Sequence, residues 1–70
     1  MKKVTFSARP NPAGVTKAIL SVMAAEGWEL LDAQHAAEPG EIGQLDDVTA
    51  ERLRKAIEDA AGDKVKIEEE

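Results

Sequence analysis

His35, Glu38, Glu41, Asp46 and Asp47 are the residues whose types and spacing come nearest to chemistry in this chain. Histidine is the residue type that changes charge near neutral pH, and His35 is the only one present. A nucleophile needs a base beside it and a third group to orient that base. There is no cysteine and no second histidine, and a lone imidazole does not make a triad. His35 is therefore expected as an ordinary strand residue on the solvent face or sheet margin, with no catalytic role. Zinc takes three or four ligands, and His35 with Glu38 and Glu41 is a thin set. Asp46-Asp47 has the form of a carboxylate pair for Mg²⁺, but ahead of a helix it more simply complements the positive N-terminal dipole. Gly40 and Gly43 match neither a P-loop nor a dinucleotide-binding glycine pattern. The expectation is a non-enzymatic protein with no metal and no cofactor.

Charge narrows the partners. The formal net charge is -5, and it is unevenly placed. Residues 1–37 carry four Lys/Arg against three Asp/Glu, whereas residues 38–70 carry five against eleven. Nucleic-acid binding depends on clustered basic residues, and single-strand binders also display aromatics outward. Here Phe6 falls in an inward strand phase and Trp28 stands at the start of a strand, so no nucleic-acid partner is expected. No apolar run approaches the roughly 18 to 20 residues that span a bilayer. MKKVTFSARPNP lacks the apolar core of a signal peptide. A soluble, cytoplasmic protein without membrane contact is the expectation.

Seventy residues make one small domain, in which only about 60% of the unfolded surface becomes buried. With no cysteine to staple it, stability must come from capped helices, a compact sheet or a partner subunit. KKVTFSA, residues 2–8, alternates Val4, Phe6 and Ala8 with Lys3, Thr5 and Ser7, the period of a half-buried strand. Asn11 and Pro12 then read as an N-cap and first helical residue, opening a helix over about 12–26. On it, Val15, Ala18, Ile19, Val22 and Met23 fall within about 140° of arc. Gly27 suits the left-handed helix end. Trp28 follows it, placed to fold back on the preceding turn and enter the core, a burial worth about 2–3 kcal/mol.

Residues 28–37 read as a second strand of conflicting phase, with Trp28 and Leu30 opposed to Leu31, Ala33, His35 and Ala37. Either both faces are covered or a bulge shifts the phase near Leu30 and Leu31. After the Pro39-Gly40 turn signal, EIGQL, residues 41–45, is a candidate short strand that Gly43 weakens. The second helix is the clearest element. Thr49 is a candidate N-cap, and Val48 and Leu53 take the two positions of a hydrophobic staple. Ala50, Leu53, Ala56, Ile57, Ala60 and Ala61 form its apolar stripe. Gly62 closes it, and DKVKIEEE alternates Val65 and Ile67 inward before a fraying tail at 68–70.

The order β-α-β-(β)-α-β, with two apolar helical stripes to cover, points to a small α+β domain. A ferredoxin-like sandwich is the simplest closure, a mainly antiparallel sheet with both helices on one face; a three-stranded α/β sheet is the alternative if 41–45 is not a strand. Such a fold hosts many functions. The composition favours a binding module (adapter, subunit or inhibitor, phage-type inhibitors included) that presents its acidic part to a protein partner, basic if charge decides. Glu38, Glu41, Asp46 and Asp47 are the acidic candidates. Leu20 is the apolar one, because it sits about 130° from the centre of the first helix's stripe, beside Thr16 and Lys17. An ACT-like regulatory domain binding a small molecule at a homodimer interface is the second function considered. An enzyme using His35 and carboxylates is the third.

Overall fold

The computed structural model describes all of residues 1–70. Its first strand, β1 (Lys2–Thr5), keeps the predicted phase: Val4 and Phe6 are buried, while Lys3 and Thr5 stay partly open. Helix α1 (Pro12–Met23) begins where Asn11 Oδ1 accepts the Gly14 N–H at 3.2 Å. A 3-10 turn, Ala24–Glu26, tightens its end. There Gly27 adopts φ 88°, its N–H donates to the Ala24 carbonyl at 3.0 Å, and the Trp28 N–H donates to the Met23 carbonyl at 3.1 Å. This is the paired bonding of a Schellman helix end. Trp28 is half-buried and packs against the core from that position.

The expected strand over 28–37 is a helix, α2 (Leu30–Ala37). A capping box starts it: the Glu29 N–H donates to Asp32 Oδ2 at 2.8 Å, and the Glu29 carboxylate accepts the Asp32 N–H. The conflicting phase of this segment has a helical solution. Ala33 and Ala37, four apart, are buried, with Ala36 beside them against the core. Residues 24–40 contain no Val, Ile or Thr, the residues that fit a pleated surface, and are rich in Ala, Leu, Glu and Gln, which favour helix. His35 is accordingly an exposed residue of the last turn of α2, not of a strand.

EIGQL is a strand, β2 (Glu41–Leu45), antiparallel to β1. Ile42 and Leu45 are three apart and would point to opposite faces of a regular strand, yet both are buried. The pairing resolves this with a bulge. Lys2 faces Leu45 and Val4 faces Ile42, so Gly43 and Gln44 together oppose Lys3. Gln44 takes a left-handed φ of 58°, and its N–H donates to the Glu70 carboxylate.

Helix α3 (Asp47–Ala61) starts three residues before the expected position, because Asp46 rather than Thr49 is the N-cap. Asp46 Oδ1 accepts the Thr49 N–H at 2.7 Å. The staple shifts with it. Val48 is 63% exposed, and Leu45 and Ala50, both buried, occupy the staple positions instead. Most of the apolar stripe is as expected, with Ala50, Leu53 and Ile57 buried and Ala60 and Ala61 packed against them, while Ala56 stands partly open at its margin. On the outer side Arg54 bridges Glu51 and Glu58. Gly62 ends α3 at φ 69°. Strand β3 (Lys66–Glu69) then pairs antiparallel with the other side of β1 without any register shift. The closing glutamates, expected to fray, are placed in or beside that strand: Glu69 pairs with Lys2, and the Glu70 N–H donates to the Met1 carbonyl at 2.9 Å.

The result is a small α+β unit of three helices and a three-stranded antiparallel sheet in the order β2-β1-β3. The element order is β-α-α-β-α-β, so the expected β-α-β-(β)-α-β does not hold and a ferredoxin-like arrangement is not confirmed. The reason is the single segment 28–37, which adds a helix where the sheet was to gain a strand. One cluster of 13 buried residues joins Val4, Phe6, Ile42, Leu45 and Val65 to Val15, Ile19, Ala33, Leu53 and Ile57. The two large helical stripes therefore do share one face of the sheet. The other face carries Lys3, Thr5, Glu41, Lys66 and Glu68, and Lys3 reaches Glu41 across it at 3.5 Å. An antiparallel sheet open to water on one side takes this form.

Candidate functional site

The carboxylates singled out from the sequence do not converge. Glu38 caps the end of α2 and Glu41 opens β2, whereas Asp46 and Asp47 follow the far end of that strand. Strand β2 stands between the two pairs, with one pair at each of its ends. All four are exposed, but two are engaged: Glu41 with Lys3, and Asp46 with the first turn of α3. The Thr49 N–H first, and the Thr49 side chain after it, hold the Asp46 carboxyl below its usual range. Asp47 lies in the first turn of the same helix, where negative charge meets the positive end of the dipole. No three His, Asp or Glu side chains gather as a metal-holding group.

What the structure does bring together lies around α2. Because α2 packs beside α1, the shoulder carrying Leu20 becomes one wall of a groove between the two helices. Leu20 is partly buried against the core. Across from it stand Leu30 and Gln34, with Pro12, Ala13, Thr16 and Lys17 completing an open hollow of about 440 Å³. Leu30 is 53% exposed and its neighbour Leu31 60%. Thus α2 turns its small residues inward and two of the largest apolar side chains of the segment outward.

The chain on either side of α2 is acidic. From residue 18 to residue 51 there is no Lys or Arg, while Glu26, Glu29, Asp32, Glu38, Glu41, Asp46, Asp47 and Glu51 are all acidic. Lys17, at the far wall, is the only basic residue lining the groove. Asp32 is committed to the capping box. Glu26, Glu29 and Glu38 are exposed.

A second hollow of about 340 Å³ lies on the outer face of α3, lined by Asp47, Val48, Glu51, Arg52 and Lys55. It mixes both signs of charge around a single apolar side chain, and it belongs to one helix alone. Leu30 and Leu31 are the surface residues that sequence reasoning missed. Part of the signal was available: seventeen residues without a β-branched side chain argue for helix, and on a helix Leu31 falls about 140° from the Ala33–Ala37 line, whereas Leu30 shares that side one turn earlier and only the structure shows it exposed.

Comparison with models of protein families, with curated proteins and with solved structures finds no match to this chain. No helix is long and apolar enough to cross a membrane.

Proposed function

We propose that this protein is a small binding module without catalytic activity, an adapter, subunit or inhibitor, whose contact surface is α2 with the adjoining wall of α1. The observation that carries the reading is the pairing of exposed Leu30 and Leu31 with a surrounding stretch that has eight carboxylates and no Lys or Arg. Apolar anchors contribute most of the energy at protein interfaces, while charged surroundings steer encounter and select the partner. The partner that fits is a protein presenting apolar side chains within a basic surface. Leu20, Leu30 and Leu31 are its apolar contacts, and Glu29 and Glu38 its steering charges. Glu41, Asp46 and Asp47 lie further along the same acidic stretch and contribute to its field more than to contact.

Capture from a cell lysate on immobilised protein, at low and high salt, tests the reading. A partner retained by the unmodified chain should be lost by Leu30→Glu and by Leu20→Glu, with both variants folded by circular dichroism. Its retention should fall as salt screens the carboxylates beyond about 8–10 Å. Retention unchanged in both variants would refute the assignment of the surface.

A further inference from the structure

The sheet has two edges, and they are not alike. At β2 the edge is broken by the bulge at Gly43 and Gln44, and the Gln44 N–H is already taken by the Glu70 carboxylate. At β3 the strand is regular, its register to β1 unshifted over all four pairs, and nothing covers its outer side.

The direction of the free backbone groups on β3 follows from two bonds at the ends of β1. The Met1 carbonyl accepts from Glu70, on the β3 side, and the Phe6 N–H donates to Gly40, on the β2 side. Backbone groups alternate sides along a strand, so Met1, Lys3 and Thr5 bond toward β3. Their partners there are Glu70, Glu68 and Lys66. The N–H and C=O of Ile67 and Glu69 therefore face the open edge, unpaired.

We infer that β3 is a self-pairing edge: a second copy of this chain adds its own β3 antiparallel to it, about a two-fold axis through Ile67, making a six-stranded sheet. Directly opposite residues in an antiparallel pair point to the same face, and those with edge-directed groups exchange two hydrogen bonds. Centring the axis on Ile67 meets both conditions. Ile67 exchanges both bonds with Ile67 of the second copy, and the side chains meet on the helix-covered face, where Ile67 is only partly buried. Lys66 then stands opposite Glu68 of the other copy, twice, on the water-facing side. These are the non-hydrogen-bonded pairs, whose side chains approach most closely. A lysine on an edge strand normally discourages such pairing; in this register each one meets a carboxylate instead. The two-fold symmetry makes the contact closed, ending at a dimer. It leaves α2, beside the opposite edge strand, free for the partner proposed above, and does not depend on that partner.

Sedimentation of the unmodified chain over a dilution series should show monomer and dimer in exchange. Lys66→Glu and Glu68→Lys, each alone, set like charges opposite one another in both pairs and should raise the dimer dissociation constant at least tenfold. Mixing the two variants should restore association, because every pair across the axis is again of opposite sign. Amide exchange in the unmodified chain supplies an arm free of substitutions: the Ile67 and Glu69 amides should slow with rising concentration while the Gln44 amide does not. A chain that is monomeric throughout, single variants that dimerise undiminished, a mixture that stays monomeric, or edge amides indifferent to concentration would each overturn the inference.

Discussion

Helices α2 and α3 solve the same problem with opposite side chains. In α3 the large residues are inside: Leu53 and Ile57 are fully buried, and Arg54, Glu51 and Glu58 cover the outside. In α2 the buried positions are Ala33 and Ala37, and the leucines are outside. The spacing between packed helices depends on the side chains at their contact, so alanines let α2 lie close against α1, while α3 fills a deeper space above the sheet. Burial of a large side chain supports α3. What supports α2 is close fit and its caps. A stripe of large residues reads plainly as helix; a stripe of alanines does not.

The comparison can be broken most severely in α3. Leu53→Ala removes a fully buried side chain from the centre of the cluster and should cost about 2–5 kcal/mol in urea unfolding, cavity included. In α2 the damaging change is the reverse. Ala33 has no exposed surface, so Ala33→Leu should overpack the contact with α1 and cost about 1–3 kcal/mol. A cost below about 0.5 kcal/mol, the range of neutral surface changes, would mean that α2 is docked loosely. Gly27 and Gly62 sharpen the contrast by being alike. Both have positive φ, and a Cβ at either would meet nothing within 4 Å. Gly27→Ala, before α2, and Gly62→Ala, after α3, should each cost about 1–2 kcal/mol from backbone conformation alone, and by similar amounts.

The smallest effect depends on pH. Glu58 ties α3 to the chain entering β3: its carboxylate accepts the Val65 N–H at 3.1 Å and the Arg54 guanidinium at 3.0 Å. The Val65 bond first, and Arg54 after it, hold the Glu58 carboxyl below its usual range. A carboxyl depressed in the folded state adds stability that is whole above its unfolded value, about 4.3 for Glu. That stability is lost as pH falls through the lower folded value. Glu58→Gln should therefore flatten the acid side of the stability curve in that window and leave its slope near neutrality unchanged. An identical acid slope would show that Glu58 does not carry the link. The effect is modest, since Glu58 and Arg54 are partly open to solvent.

Much of the frame was legible because it rests on local chemistry. The alternation around Val4, the Asn11-Pro12 start, the Gly27 and Gly62 ends and the Leu53–Ile57 stripe each act within one or two turns of chain, and each appears in the structure where it was read. Residues 28–37 misled because the phases of Trp28 and Leu30 against Leu31, Ala33, His35 and Ala37 follow polarity, while what packs here is decided by size. Their strand phases conflicted because no strand exists. The N-cap lies at Asp46, three residues before Thr49, because β2 runs to Leu45 and α3 follows it directly. The candidate surface was half legible. Leu20 stood out against its helix, but its companions Leu30 and Leu31 could be recognised only once the segment carrying them was helical.

The chain by itself determined where α1 begins, the glycine ends after α1 and α3, the alternation of β1, and that the carboxylates gather in its later part, because caps, periodicity and charge are properties of neighbours in sequence. Tertiary structure decided that the leucines of α2 stay outward, that a bulge turns Ile42 and Leu45 the same way, and that one sheet edge is bulged and the other regular. Those outcomes depend on which surfaces meet across the fold, and close packing of small side chains becomes favourable only when the opposing wall is in place.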